Sequence, residues 1–304
     1  MSEIKLFKIN GHDVQEIRSK SIGLEKSLQT IIECNLEPVL GVRFLSSEHP
    51  TGKSHAGRID TLALDENNCP VIIEYKRALN ENVINQGLFY LDWLLDHKAE
   101  FKLMIMESLG NDAAEEIDWS GPRLVCIAAD FTKYDEHAIK QINRNIELIR
   151  FRRFGDDLLA LELMQRASAS DLPQGEETDR QKPQKKATDK SFVQWLKELD
   201  PPMRDLYESL RAFILALGDD VSEKQLKLYI AFRRIKNFAC IVMQKRTLTI
   251  YIKLNPKSIT LEDGFTRDVR EIGHWATGDL EITITNKDEL MKAQPLIARS
   301  YDEA

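Results

Sequence analysis

In the segment VIIEYKR, residues 71–77, Glu74 and Lys76 stand two apart behind three consecutive β-branched residues, Val71, Ile72 and Ile73. On a strand that spacing puts both side chains on one face of the sheet. A carboxylate and an ammonium at the buried end of a strand are costly unless they are paired. A second apolar run, RIDTLALD at 58–65, carries Asp60, and ENNCP joins the two runs with turn residues. A hairpin between them brings Asp60 to Glu74 and Lys76 where strand pairing ends. Two neighbouring carboxylates repel, and one protonates unless a cation joins them. Oxygen ligands without any Cys/His ligand spacing favour Mg²⁺ or Mn²⁺ over Zn²⁺. Such an ion acidifies a bound water and stabilises a phosphoryl transition state, with Lys76 placed to position the water or offset the developing charge. Spacing alone also allows a purely structural Asp60/Glu74–Lys76 ion pair.

The elements that must position these groups follow from periodicity. Leu24, Leu28, Ile31 and Ile32 predict an amphipathic helix over about 23–36. VLGVRFLS predicts a strand near 39–46, followed by the strands 58–65 and 71–77. Val83, Leu88, Leu91, Leu94 and Leu95 predict a helix over about 80–97, and RLVCIAAD a buried strand at 123–130. A helix near 134–144 and strands at 146–154 and 158–165 complete an α/β domain on a mixed sheet flanked by helices. Gln86 and Tyr90, four apart, share one helix face, where an amide and a phenol can meet a phosphate or form ordinary polar surface.

The arrangement Asp60, hairpin, Glu74-x-Lys76 resembles the core of the PD-(D/E)xK, or restriction-endonuclease-like, nuclease superfamily. GRIDTLALDENNCPVIIEYKR resembles in particular the branches of archaeal and bacterial DNA-repair nucleases that cut near mismatches or branched DNA. The resemblance covers roughly residues 20–155 and departs from the pattern at Ile59, where the superfamily often has proline. It implies a restriction-endonuclease-like fold and a Mg²⁺- or Mn²⁺-dependent nuclease, serving repair or defence, with DNA as partner. By the resemblance, Asp60 and Glu74 hold the metal, with Glu25 in the first helix and the main-chain carbonyl of Tyr75 as further ligands. Lys76 assists catalysis. Gln86 and Tyr90 match a Q-x-x-x-Y pattern of branches similar to the RecB nuclease and position the strand. The rival expectation is a nuclease-fold module without activity that binds DNA or a protein.

Other signals bound these readings. Of 304 residues, 42% are hydrophobic and 30% charged, a globular composition. No run of about 18 apolar residues spans a membrane. The N-terminus MSEIKLFKIN lacks a signal-peptide core, and the four cysteines stand singly, so a cytoplasmic location is expected. Residues 1–166 hold 20 basic and 27 acidic groups, while 191–304 hold 17 of each. The acidic excess in the N-terminal half argues against a passive nucleic-acid coat protein. Residues 167–190, rich in Ser, Gln, Pro and charge, read as a flexible linker between domains at 1–166 and 191–304. TGKS at 51–54 fails as a phosphate-binding loop, because Ser47 stands where glycine is needed. Lys53, His55 and Arg58 can instead touch a phosphate backbone, and His49 and His55 are weak metal-ligand candidates. Lys140, Arg144, Arg150, Arg152 and Arg153 form a basic strip that reads as solvated surface or as a DNA contact. In the C-terminal half, helices at about 191–199 and 202–217, a hairpin of 238–245 and 247–254, a strand at 280–286 and a closing helix at 287–301 predict an α+β domain. GHWATGDLEI there predicts a turn with a packed Trp275. This half resembles an uncharacterised domain family that accompanies nuclease-like domains. It carries no catalytic constellation, which leaves a module that binds a protein partner or DNA as the expectation, and a homodimer is compatible with the whole reading.

Overall fold

The apolar run that carries Glu74 lies at the centre of a sheet because Val71, Ile72 and Ile73 are fully buried there, each contributing roughly 1.5–3 kcal/mol by its removal from water. The computed structural model describes residues 4–20, 25–52, 56–76, 83–169, 190–274 and 276–304. They form two compact units, 1–173 and 174–304.

The first unit opens with β1 (Leu6–Asn10) and β2 (Asp13–Ile17), a hairpin apart from the main sheet. Its turn needs Gly11, whose φ of 65° favours a residue without a Cβ. The chain continues through β3 (Ser19–Lys20), α1 (Glu25–Glu33), α2 (Leu36–Leu40), β4 (Val42–Pro50), β5 (Arg58–Asp65) and β6 (Pro70–Lys76). Then come α3 (Val83–Asp96), α4 (Lys98–Leu109), α5 (Asn111–Glu115), β7 (Arg123–Ala128), α6 (Lys133–Ile139), β8 (Asn145–Phe154) and β9 (Leu158–Ala167). The main sheet runs β8–β7–β6–β5–β4, with β9 and the short β3 also paired to β8. The pairs β6–β7 and β7–β8 are parallel and the others antiparallel. The mixed sheet flanked by helices is the expected fold class. Helix α3 packs on β6 and β7, so closely that a Cβ on Gly87 would stand 2.4 Å from Leu124. Helix α1 also packs on β6, and its Glu33 accepts a hydrogen bond from the Thr61 hydroxyl of β5.

The β5–β6 turn is closed by Asp65, whose Oδ1 accepts the amides of Asn67 and Cys69, each at 2.8 Å. Asn68 takes a left-handed φ of 58°, a conformation that asparagine tolerates. Asp65 Oδ2 then accepts Arg123 Nη1 at 3.0 Å, and Arg123 Nη2 reaches Glu147 at 2.8 Å. This network is buried and ties the turn to β7 and β8.

The second unit comprises α7 (Phe192–Glu198), α8 (Pro201–Leu215), β10 (Ser222–Gln225), β11 (Tyr229–Arg233), β12 (Asn237–Met243), β13 (Leu248–Ile252), a 3-10 turn (Pro256–Ser258), β14 (Thr266–Asp268), β15 (Leu280–Ile284) and α9 (Lys287–Glu303). Its sheet is antiparallel, in the order β10–β11–β12–β13–β15–β14. The three helices cover one face, where Leu206, Leu210, Ile241, Ile250, Ile282 and Ile297 share one core. Asp200 caps α8 at the Met203 amide, with Pro201 and Pro202 in the first turn.

Several expectations are corrected. The run expected as a strand from 39 begins as α2, because Gly41 (φ 64°) closes a short helix with its amide on the Glu37 and Leu36 carbonyls; the strand starts at Val42. The helix expected to 144 ends at Ile139. Helices α4 and α5, the β1–β2 hairpin and strands β10 and β11 were not expected. Arg150 is no part of a basic surface strip: its side chain is buried and paired with Asp130 and Glu162. Lys53, His55, Trp275, residues 23–24 of the helix expected over 23–36 and the linker stretch over 170–189 lie outside the described residues. Among the described residues no helix is long and apolar enough to cross a membrane.

Candidate functional site

The β5–β6 ladder holds through Thr61↔Ile73 and then gives way to side-chain bonds. The Asp60 amide donates to Glu74 Oε1 at 3.2 Å, and the Tyr75 amide donates to Asp60 Oδ2 at 3.0 Å. Two carboxylates thus substitute for main-chain acceptors, which is why they stand side by side where the strands part. Glu74 is completely buried, next to Cys126 in the β6–β7 register, and its Oε2 has no hydrogen-bond partner. Burial, and then the neighbouring Asp60, push the Glu74 carboxyl up to about 9. Asp60, half-buried, is also raised, chiefly by burial. An acid pair in this state shares protons at neutral pH unless a cation is supplied.

Lys76 ends β6, with Nζ 3.3 Å from Glu25 Oε1. Burial pulls its pKa down, but Glu25, Asp60 and Glu74 outweigh that and raise it, so it is an ammonium at neutral pH. Glu25 therefore stands in the structure as the partner of Lys76. On the β4 side, Glu48 adopts a left-handed φ of 52°, a strained conformation for a residue with a side chain. Its carboxylate is held by Lys26 at 2.9 Å and faces Arg58 at 3.6 Å.

Four further expected residues, Tyr90, Gln86, Arg58 and His49, have identifiable places. Tyr90 is buried, and its hydroxyl accepts the Arg58 amide at 3.2 Å and lies 3.5 Å from Gln86 Nε2. A Cβ on Gly57 would stand 2.6 Å from that hydroxyl, so Tyr90 is packed against the chain that enters β5. Arg58 keeps 69% of its side chain exposed. His49 packs against Trp93 with ring centroids 5.1 Å apart and faces Glu100 at 3.5 Å. Sequence reasoning missed Gln29 and Glu33. Gln29 Nε2 donates to the Asp60 carbonyl at 2.8 Å, and Glu33 accepts from Gln29 and from Thr61. The available signal was the polar stripe Glu25, Gln29, Glu33 at i, i+4 and i+8 on one face of α1.

Among the described residues no group of three or more His, Cys, Asp or Glu side chains gathers closely enough to hold a metal, so the tight three- or four-ligand pattern of a zinc site is absent from them. Two adjacent carboxylates, one with an orphaned buried oxygen, fit a hard cation that keeps several of its waters, as Mg²⁺ does.

The raised Glu74 carboxyl predicts a pH dependence. Its folded pKa exceeds its unfolded value, so the stability it contributes is full below about pH 4.5 and is lost as pH rises toward 9. By pH 7 the loss is on the order of 3 kcal/mol. In EDTA, the melting temperature should fall between pH 5 and pH 8.5, and Glu74→Gln should flatten that fall. A wild-type melting temperature that holds level across this range would rule out a strongly raised Glu74.

Comparison with known proteins adds the following. A Haemophilus influenzae protein described as uncharacterized is 30% identical over 307 residues, covering 99% of this chain and 100% of its own. Residues 193–304 match the model of a domain of unknown function (DUF5655). Among solved structures, a repair endonuclease from Pyrococcus abyssi matches at 17% identity over 45% of this chain and 50% of its own, with a TM-score of 0.29. An EndoMS–dsDNA complex matches at 17% identity over 43% of this chain and 47% of its own, with a TM-score of 0.25. The match thus spans about half the length of each solved chain.

Proposed function

For a chain that belongs to one family with the uncharacterized Haemophilus influenzae protein, we propose the activity of a metal-dependent nuclease that hydrolyses phosphodiester bonds of DNA at Asp60, Glu74 and Lys76. The reading rests on this chain's own residues. The observation that carries it is the Glu74 carboxylate, fully buried with an orphaned Oε2 beside Asp60. A structural glutamate in a dry sheet would be expected to find a partner for each oxygen.

Asp60 and Glu74 would hold a Mg²⁺ or Mn²⁺ ion, with the Tyr75 carbonyl as a further oxygen ligand. The ion would supply charge neutralisation and a more acidic water. In the hydrolysis a water oxygen bonds to phosphorus and releases a proton to solvent, the bond from phosphorus to the leaving sugar oxygen breaks, and that oxygen takes up a proton from solvent. Lys76 is charged, so it acts as a donor to the phosphate oxygens, where negative charge builds up, and not as a proton acceptor. Glu25 orients it from α1. Arg58 and Lys53 are placed in sequence to meet the phosphate backbone. Gln86 and Tyr90 support the strand that carries Asp60, Tyr90 through the Arg58 amide.

A second reading, a nuclease-fold module without activity, is favoured by the acidic excess of residues 1–166 and by the internal pairing of Arg150. One experiment decides between them. Wild type and Asp60→Ala are incubated with single-stranded, duplex, mismatched and flap DNA, and with RNA, in Mg²⁺ or Mn²⁺. The nuclease reading expects cleavage of a DNA substrate that EDTA stops and Asp60→Ala lacks. Binding of DNA without cleavage of any substrate would establish the second reading.

A further inference from the structure

We infer that Gln29 is the positioning residue of the cation site: its amide holds the Asp60 carbonyl off the strand ladder and so sets where the Asp60 and Glu74 carboxylates stand. The inference rests on the reading of Asp60 and Glu74 as cation ligands.

The argument starts from the main chain of Asp60. Thr61, one residue on, is paired on both sides, with Ser47 of β4 and Ile73 of β6. At Asp60 both peptide groups are held by side chains instead. Its N–H goes to Glu74 Oε1 and its carbonyl accepts from Gln29 Nε2 at 2.8 Å. A buried carbonyl must find a donor, and Gln29, 3% exposed, supplies it from a different element.

The surroundings of Gln29 fix which way the amide points. Lys26 Nζ donates to Gln29 Oε1 at 3.1 Å, while Glu33 Oε1, Ser47 Oγ and the Asp60 carbonyl surround Nε2 at 2.9, 3.2 and 2.8 Å. A cation on the oxygen and three acceptors around the nitrogen leave one amide orientation. The same Lys26 also holds the strained Glu48. Helix α1 therefore clamps the main chain at the level where β4, β5 and β6 part. Without the Gln29 donor, the peptide between residues 60 and 61 is released, and the Asp60 carboxylate shifts with it. Coordination depends on ligand oxygens held within about half an ångström, and loss of such a supporting group typically weakens metal affinity 10- to 100-fold.

The test measures Mn²⁺ affinity by calorimetry on the full chain, for wild type, Asp60→Ala, Gln29→Met and Gln29→Asn, with near-UV circular dichroism as the check of native packing. Gln29→Met keeps the length and loses the donor; Gln29→Asn keeps an amide that is too short to reach. The expected result is wild-type binding, none in Asp60→Ala, and at least 10-fold weaker binding in both natively packed Gln29 variants. Wild-type affinity in either natively packed variant overturns the inference and leaves the cation site standing. Loss of native packing in both also overturns it, because Gln29 would then hold the fold and not the site. If Asp60→Ala binds as wild type does, or wild type binds nothing, the cation site itself fails and the inference with it.

Discussion

On the nuclease reading proposed above, replacing Lys76 with methionine is expected to slow DNA cleavage by on the order of 10²-fold or more, the scale of a positioned charge-stabilising group, while the protein stays folded and binds Mn²⁺ as the wild type is expected to. The side chain is 16% exposed and its partner Glu25 35% exposed, so their pairing is partly screened and contributes less than the roughly 3–5 kcal/mol lost on breaking a fully buried pair. The Glu25 carboxylate left behind can be hydrated. The loss therefore falls on the transition state, where an ammonium beside the phosphate has its largest effect. It should appear in kcat with KM for DNA little changed. A Lys76→Met protein that cuts at the wild-type rate removes Lys76 from the mechanism. One that melts many degrees lower with proportionate loss of activity makes it a structural residue.

Arg123→Met should strongly destabilise the first unit while leaving the candidate site untouched. Arg123 is buried between Asp65 at 3.0 Å and Glu147 at 2.8 Å, and its pKa is raised because those carboxylates outweigh the cost of burial. Removing it leaves both carboxylates buried, although Asp65 keeps two amides and Glu147 keeps Arg166 at 3.4 Å. Breaking such a pair costs about 3–5 kcal/mol, or roughly 10 °C in melting temperature for a unit of this size. The exposed pair Lys190–Glu198, with about half of each side chain in water, sets the opposite limit, and Lys190→Ala should fall within about 1 kcal/mol of wild type. Thermal denaturation of the two variants side by side checks both. An Arg123→Met protein within 2 °C of wild type would falsify the claim that this network anchors the sheet.

The elements nearest the candidate site were the most legible in the sequence. Strands β5 and β6 announce themselves by apolar runs around an Asn-Asn-Cys-Pro turn, and the two-residue spacing of Glu74 and Lys76 follows from strand geometry. Helix α3 shows a repeating apolar face, and β7 a continuous apolar run. What escaped has physical reasons. Residues 36–40, Leu-Glu-Pro-Val-Leu, are too short a stretch for periodicity to distinguish strand from helix; the left-handed Gly41 decides for helix. Helix α4 buries only Phe101 and Ile105, too little for a stripe. The β1–β2 hairpin leaves Phe7, Ile9 and Val14 exposed, so no buried face marks it. Within the site, the approach of Asp60 to Glu74 depends on one local turn and could be read. The contacts of Gln29, Glu33 and Glu48 depend on how α1 docks, and no periodicity reports that. The burial of Arg150 is likewise a property of its neighbours, Asp130 just beyond the end of β7 and Glu162 on β9.

The separations along the chain have a consequence for the order in which the molecule assembles. Asp60 and Glu74 are 14 residues apart and are joined through a single turn. The links from α1 are longer: 31 residues from Gln29 to Asp60 and 51 from Glu25 to Lys76. Closing a longer loop costs more chain entropy, and non-local contacts form late. The hairpin is therefore expected to bring the two acids together first, while water still reaches them, with α1 arriving afterwards to seal the ladder's end. Nascent chain that stops short of β6 lacks Glu74 and Lys76 altogether, whereas chain that includes β6 already holds every side chain named for the cation and for Lys76.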